Sequence, residues 1–169
     1  ASLTGHLVMS TLHTNSAVAA IPRFLSMGVK PFLMAPAVNA IIGQRLVRKI
    51  CEDCKTEMQL DEATLARVMQ VLKEIPPESE EKVDLAHLTF YYGKGCETCQ
   101  HIGYKGRSGI YEVFILTPDV EDAVLSSEFS ENKIELLARK NGMIKMVEDG
   151  ILKALKGITT VEEVFRVSE

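Results

Sequence analysis

Long apolar runs are missing from this sequence of 169 residues, and none approaches the roughly 20 residues that a membrane-spanning helix needs. No signal peptide is recognisable either, because residues 1–6 lack a basic segment followed by an apolar core. The net charge is −4, which argues against a general nucleic-acid surface, where clustered Lys and Arg would be needed. We therefore expect a cytoplasmic protein with no transmembrane segment and no nucleic-acid partner.

A phosphate-binding P-loop is also missing, since the pattern Gly-x-x-x-x-Gly-Lys-Ser/Thr occurs nowhere in the chain. The stretch at residues 103–109 holds three glycines in seven residues but lacks that ending. Glycines at this density favour unusual backbone angles or the close approach of another segment. We expect this role for the stretch rather than the binding of phosphates.

Cysteine is scarce, and the four that are present form two pairs with two residues inside each pair: Cys51 with Cys54, and Cys96 with Cys99. This spacing lets two thiolates bind one ion from a tight turn, and two such turns supply the four sulfur ligands of a structural Zn²⁺ site. Disulfides, a redox pair and unmetallated thiols are the alternatives. A chain of this size with 46% hydrophobic residues can, however, be stable without disulfides.

Residues 55–95, between the two pairs, are more than a compact zinc ribbon needs, so we expect them to form a structured insertion. Asp61 is suited to cap a helix whose apolar face includes Val68 and Leu72. A strand at residues 88–92 is predicted to lead into the second pair. A strand at residues 110–116 is predicted to leave it.

The region before the first cysteine is predicted to alternate strand and helix. Residues 7–12 are apolar on both faces, which indicates a short buried strand. Thr14, Asn15 or Ser16 is suited to cap a helix that should follow as far as Met27, kinked or shortened by Pro22. A second helix is predicted at residues 36–43, followed by a strand at residues 44–50.

Two kinds of polar side chain in this region are candidate binding residues. His13 follows the first predicted strand, and ligands of open α/β sheets bind beyond the carboxyl ends of strands. The alternative for His13 is a polar residue that caps a turn. Arg45 and Arg48 can reach phosphate or acidic groups, and the alternative is a solvated basic edge.

The chain after residue 116 is predicted to be helical. Ser130 and Thr160 are suited to start helices, as is Thr117 followed by proline. Gly142 and Gly157 are suited to end them. The whole pattern is of the α/β class.

Several stretches resemble one known family. Residues 4–15 (Thr-Gly-His-Leu-Val-Met-Ser-Thr-Leu-His-Thr-Asn) resemble the histidine box of the secretion ATPases, the hexameric motors of type II secretion and type IV pilus assembly. Residues 28–33 and 44–48 look like the stretches that follow this box, and residues 103–112 and 157–164 also match. The tetracysteine module resembles that of the assembly and secretion branch, since the retraction motors lack it.

This resemblance implies a fold and three parts. Residues 1–50 would be the C-terminal remnant of a RecA-like ATPase core. Residues 51–116 would be an inserted tetracysteine zinc-binding module, and residues 117–169 a C-terminal helical subdomain. The chain would then be the C-terminal fragment of a longer motor.

The resemblance also implies the activity and its residues. Six subunits would form a homohexameric ring, peripheral on the cytoplasmic face of a bacterial inner membrane, that contacts an inner-membrane platform protein. ATP hydrolysis would drive pilin or pseudopilin subunits out of the membrane, with Zn²⁺ structural and ATP and Mg²⁺ bound by the intact protein. His13 would sense or position the γ-phosphate and His6 would support the site, whereas Arg45 and Arg48 would contact the nucleotide or a neighbouring subunit.

Without the P-loop and the acidic metal-binding segments, the fragment alone is expected not to hydrolyse ATP, because positioning and charge neutralisation are nearly all of phosphoryl-transfer catalysis. Two other hypotheses compete with the motor fragment. One is a free-standing zinc-ribbon module that binds protein or nucleic acid. The other is a thiol-disulfide enzyme, which usually places its cysteine pair at the start of a helix.

Overall fold

The computed structural model describes residues 1–79, 81–126 and 130–168, and these ranges form a mixed helix and strand structure. Within them, no helix is long and apolar enough to cross a membrane. The helices are α1 (Ala20–Ser26), α2 (Pro31–Met34), α3 (Glu62–Glu74), α4 (Pro118–Leu125), α5 (Glu131–Lys140), α6 (Met146–Leu155) and α7 (Val161–Ser168).

Four strands occur in the described ranges: β1 (Ala40–Ile50), β2 (Lys55–Met58), β3 (Phe90–Gly93) and β4 (Tyr104–Ile115). β1 pairs with β4, and β2 pairs with β3 in antiparallel register. One cysteine pair lies between β1 and β2, and the other lies between β3 and β4. The two strand pairs therefore bring the two cysteine pairs close together.

The first of two compact units consists of Ala1–Gly43 and Glu112–Met143. Its core is apolar and includes three fully buried side chains, those of Ile21, Phe114 and Ile134. The buried carboxylate of Glu112 forms a hydrogen bond with the backbone here: its Oε1 accepts from the Ala17 N–H at 2.6 Å.

The second compact unit consists of Gln44–Tyr111 and Ile144–Glu169. Its core joins α3 and β3 to α6 and α7, and the buried side chains include Val68, Phe90, Ile151 and Val164. The four cysteines therefore belong to the same unit as the last two helices, whereas α4 and α5 belong to the first unit. These units do not follow the predicted division at residues 50 and 116, which stays a prediction about functional parts.

Most predicted helix boundaries are confirmed. Asp61 precedes α3 and its Oδ1 accepts a hydrogen bond from the Thr64 N–H at 3.0 Å. Ser130 caps α5 in the same way, by accepting from the Lys133 N–H at 3.3 Å. The predicted cap of the first helix at residues 14–16 is wrong, because α1 begins only at Ala20. Pro22 falls in its first turn, where no backbone N–H is needed, so the helix is shortened as predicted.

The predicted strand at residues 7–12 is wrong. These residues have no regular secondary structure, and the side chains of Leu7 and Met9 are 83% and 87% exposed. A strand needs a neighbour to satisfy its backbone hydrogen bonds. Both sheets in the described ranges have only two strands, β1 with β4 and β2 with β3, and neither sheet includes this stretch.

The predicted helix at residues 36–43 is also wrong. The helix lies earlier, as α2, with Pro31 at its first position, where its missing N–H costs nothing. From Ala40 the chain is already in β1. Ile41 and Ile42 are β-branched and favour a strand, which extends the predicted strand at residues 44–50 towards the N-terminus.

Candidate metal centre

The four cysteine side chains lie together in the second unit. All four Sγ atoms lie within 4.8 Å of one another, and no other such cluster of His, Cys, Asp or Glu occurs among the described residues. The Sγ–Sγ distance is 3.8 Å between Cys51 and Cys96, 3.9 Å between Cys54 and Cys99, and 3.7 Å between Cys96 and Cys99. The two pairs thus form one compact tetrad.

These distances match a tetrahedral metal site. Zn–S bonds of about 2.3 Å in a tetrahedron place the sulfurs about 3.8 Å apart. A disulfide would need about 2.05 Å, and all four cysteines are free. Four thiolates are also the donor set of closed structural zinc sites, so the residues present fit Zn²⁺.

Strand pairing brings the two cysteine pairs together across the long insertion. Lys55, directly after Cys54, lies opposite Gly93 in the β2–β3 pair. The Lys94 N–H donates to the Cys54 carbonyl oxygen at 3.0 Å, which extends this contact to the second turn. Closer to the β1–β4 pair, the Cys51 N–H donates to the Gly103 carbonyl oxygen at 3.0 Å.

Each cysteine pair lies on a short 3₁₀ turn, at Glu52–Cys54 and Glu97–Cys99. The first turn leads directly into β2. The second is closed by Gln100 and His101, two residues in the left-handed region with φ of 53° and 62°. Neither pair therefore opens an α-helix, which is where a thiol-disulfide enzyme usually carries its reactive cysteine.

Backbone N–H groups point at two of the sulfurs. Gly95 donates to Cys54 Sγ at 3.3 Å. Cys99 Sγ accepts from the N–H of Cys96 at 3.2 Å and from that of Gly103 at 3.3 Å. Such donors stabilise negative charge on sulfur and hold the ligands in place around a metal.

The thiol pKa values depend on both burial and these N–H donors. Burial raises the pKa of Cys54 to about 12, and burial also raises the pKa of Cys51. The N–H groups of Cys96 and Gly103 lower the pKa of Cys99 to about 6, the Cys96 donor having the larger effect. A metal ion binds thiolates and must displace the protons from the raised thiols, so metal affinity should increase with pH.

Two glycines allow the chain before and after the second cysteine turn to approach closely. A Cβ atom at Gly93 would overlap the carbonyl oxygen of Gly103, and one at Gly103 would overlap that of Gly93. Gly103 also has a φ of 81°, which side chains rarely adopt. The predicted close approach in the stretch at residues 103–109 is therefore confirmed at Gly103.

The predicted nucleotide-site histidines lie in the first unit, and both are exposed. The His6 Nδ1 atom lies 3.1 Å from the hydroxyl of Thr4. His13 follows the irregular stretch at residues 7–12 instead of a strand. Their role at a nucleotide stays a prediction.

The predicted nucleotide-site arginines lie in β1, within the second unit. Arg45 is exposed. Arg48 forms an ion pair with Glu163, from Nη2 to Oε1 at 2.6 Å, and its guanidinium lies 4.2 Å from the centre of the Tyr104 ring. Arg48 therefore has a structural role in this unit, and nucleotide contact by either arginine stays a prediction.

Sequence reasoning missed Glu163 as a partner of Arg48. The Glu163 N–H donates at 3.3 Å to the hydroxyl of Thr160, the residue predicted to start this helix. Its carboxylate, however, binds Arg48 and Arg166, and these arginines hold its pKa well below the usual range, Arg166 having the larger effect. The i, i+3 spacing to Arg166 was a visible signal, but nothing in the sequence linked Glu163 to a strand 115 residues earlier.

Fold and site together define a mixed α/β protein that carries a preorganised tetracysteine cluster. The model of the family described as Type II/IV secretion system protein matches residues 1–166. Because this match covers nearly all of the sequence, the chain belongs to that family. The predicted resemblance to the secretion ATPases is thus confirmed.

Individual relatives carry the names of both systems. The chain is 44% identical over 164 residues to the type IV pilus assembly ATPase PilB of Thermus thermophilus, which covers 97% of this chain and 17% of that protein. It is 42% identical over 168 residues to the type II secretion system protein E of Pseudomonas aeruginosa, covering 99% of this chain and 31% of that protein. The PilB of the same organism is 44% identical over 169 residues, covering 100% of this chain and 28% of that protein.

The chain spans less than a third of the length of these relatives.

Proposed function

We propose that this chain is the zinc-stabilised C-terminal part of an ATPase motor that powers type IV pilus assembly or type II protein secretion. Family membership across residues 1–166 and the names of the relatives support the motor. The observation that supports a bound Zn²⁺ is the spacing of the Sγ atoms, which matches a tetrahedral site. In this proposal Zn²⁺ is structural and holds the two cysteine turns together.

The intact motor follows from the same proposal. Residues 1–50 complete a RecA-like ATPase core, residues 51–116 are the zinc module, and residues 117–169 are a helical subdomain. Six subunits form a ring on the cytoplasmic face of the inner membrane, where they bind ATP and Mg²⁺ and contact a platform protein. His13 and His6 act at the nucleotide, and Arg45 and Arg48 contact the nucleotide or a neighbouring subunit.

The zinc site does not take part in ATP hydrolysis in this proposal. Four cysteine ligands fill a tetrahedral shell, which leaves no open position for water or substrate. Cys51 and Cys99 are almost fully buried, which suits ligands that hold structure. Such sites contribute their binding free energy to folding, on the order of 10 kcal/mol.

Native mass spectrometry of the reduced chain tests the metal site. We expect one Zn²⁺ per chain, and loss of both the metal and the dispersed amide NMR signals of residues 51–58 and 90–104 on chelation. Replacing Cys51 or Cys99 by serine should have the same effect, because three thiolates and a hydroxyl bind Zn²⁺ less tightly than four thiolates.

His101→Ala is the matched control, since His101 lies beside the second turn and is exposed but is not part of the tetrad. It should retain one Zn²⁺ per chain. A chain that binds no metal, or a mass lower by two or four protons from disulfides, would overturn the proposed zinc site. An unchanged NMR spectrum after complete removal of the metal would contradict its structural role.

A further inference from the structure

The segment that leads into α7 is hydrogen bonded to the strand that ends at the first cysteine. The Ile50 N–H donates to the Ile158 carbonyl oxygen at 2.9 Å, and Ile50 is the residue before Cys51. The Thr159 hydroxyl donates to the Arg48 carbonyl oxygen at 2.8 Å. The end of β1 is therefore fixed from the C-terminal side of the chain.

Glu163 in α7 strengthens this connection. Its carboxylate accepts from the Arg48 N–H at 3.0 Å and from the Arg48 guanidinium at 2.6 Å. Arg166 donates to both of its oxygens at 2.8 Å. The Glu163 side chain is only 2% exposed, so its charge is compensated almost entirely by these four donors.

A second connection leads from α7 to the other cysteine pair. The Tyr104 hydroxyl lies 3.0 Å from the Thr160 hydroxyl, and the Arg48 guanidinium stacks on the Tyr104 ring. Tyr104 follows Gly103, whose N–H donates to Cys99 Sγ and whose carbonyl accepts from Cys51. Displacement of Tyr104 would therefore move Gly103, and with it the N–H that donates to Cys99 Sγ and the carbonyl that accepts from the Cys51 N–H.

From these contacts we propose that Glu163 is a positioning residue of the metal centre, and that docking of α7 and loading of the metal are thermodynamically coupled. The proposal rests on the zinc site proposed above. A docked α7 holds the ends of β1 and β4 where the two cysteine turns meet, which raises metal affinity. By linkage, metal bound to the cysteines stabilises docked α7 by the same factor.

The apolar core does not by itself explain the coupling. Val164 and Phe165 hold α7 against α3 and α6, and their contacts lie in a cluster that contains none of the four cysteines. The polar contacts of Glu163, by contrast, end on a residue three positions before Cys51. Removing the charge of Glu163 while keeping Val164 and Phe165 therefore separates the two effects.

The test compares Glu163→Gln with Glu162→Gln, an exposed neutralisation in the same helix turn. Metal-free, reduced chains are titrated with Co²⁺, whose absorption bands report tetrahedral thiolate coordination. Outer-shell partners of metal ligands typically affect affinity by about 10- to 100-fold. We expect Glu163→Gln to lose at least tenfold in Co²⁺ affinity and Glu162→Gln to bind like the unmodified chain.

Equal affinity of the two variants would overturn the coupling while leaving the zinc site intact. Absence of Co²⁺ binding by the unmodified chain would overturn the zinc site itself and the coupling with it. These two failures are therefore distinguishable in one experiment.

Hydrogen exchange of the unmodified chain provides a second readout that does not depend on how the variants fold. On chelation we expect faster exchange in α7 as well as in the cysteine turns. Acceleration confined to residues 51–58 and 90–104, with α7 unchanged, would contradict the proposal.

Discussion

Gly103 combines three functions in one residue. Its N–H donates to Cys99 Sγ, its carbonyl accepts from Cys51, and its lack of a side chain admits the backbone of Gly93. The sequence predicted close approach or unusual angles within residues 103–109. It could not assign them to Gly103, because the partner, Gly93, lies on the far side of the second cysteine turn.

Gly103→Ala and Gly106→Ala form a matched pair. Their φ angles are 81° and 82°, so a side chain meets the same backbone strain, but only at Gly103 would a Cβ overlap another residue. We expect Gly106→Ala to cost about 1–2 kcal/mol and Gly103→Ala more than about 3 kcal/mol. Urea unfolding of the metal-loaded chains measures both.

A similar loss of unfolding free energy in the two alanine variants would show that backbone strain alone determines the cost, and that the close approach to Gly93 is dispensable.

Among the elements, α3 shows how much can be predicted locally. Asp61 was predicted as its cap from residue type alone, and the N–H and hydroxyl of Thr64 both donate to its carboxylate. These hydrogen bonds lower the pKa of Asp61, with the Thr64 hydroxyl the largest cause. Because the folded pKa lies below the unfolded value near 3.9, the cap stabilises the protein above that pH and is lost as the pH falls.

Asp61→Asn isolates this titration, since asparagine caps helices about as well as aspartate but carries no charge. We expect the two proteins to have similar stability at pH 7. As the pH falls below about 4, the unmodified chain should lose stability relative to Asp61→Asn. Thermal unfolding followed by circular dichroism across this range measures the difference.

Parallel pH profiles for the two proteins would mean that the Asp61 carboxylate gains nothing from Thr64 on folding.

Strands were predicted less well than helices because their stability depends on partners that are distant in sequence. Strands were predicted at residues 44–50 and 110–116, whereas β1 begins earlier, at Ala40, and β4 runs from Tyr104 to Ile115. These two strands supply each other's hydrogen bonds. Residues 7–12 are also rich in apolar side chains but pair with none of the described strands. Apolar composition indicated suitability for a sheet, whereas pairing decided which stretches became strands.

At the scale of the whole molecule, each compact unit combines two segments that are far apart in the sequence. Helix caps and apolar faces predicted that the C-terminal region is helical. They could not predict that α4 and α5 would join one unit and α6 and α7 the other, because the packing partner of an apolar face is not encoded locally. The cysteine tetrad was predictable, since four identical ligands with regular spacing have few alternative arrangements.

The whole molecule also bears on catalysis. The sequence has no P-loop, and the described residues form only one cluster of potential metal ligands, the four cysteines. We expect ATP hydrolysis by this 169-residue chain to stay at background, because the groups that bind phosphates and Mg²⁺ supply most of phosphoryl-transfer catalysis. Phosphate release by the purified chain, measured beside its His13→Ala variant, tests this.

Turnover that disappears in His13→Ala would contradict the expectation and would place a working nucleotide site in this chain. Turnover that is equal in both proteins and is removed by further purification would identify a contaminant.

The pairing of β2 with β3 has a consequence for how the insertion can vary. Residues 55–95 form a loop whose two ends are held together by the β2–β3 hydrogen bonds and by the cysteine tetrad. The entropy of closing a loop grows only with the logarithm of its length, so doubling the number of residues adds about 0.6 kcal/mol. Chain can thus be added at the exposed residues Pro77 and Glu78, which follow α3, at little cost, and this makes them the natural place to attach a fluorescent or affinity label.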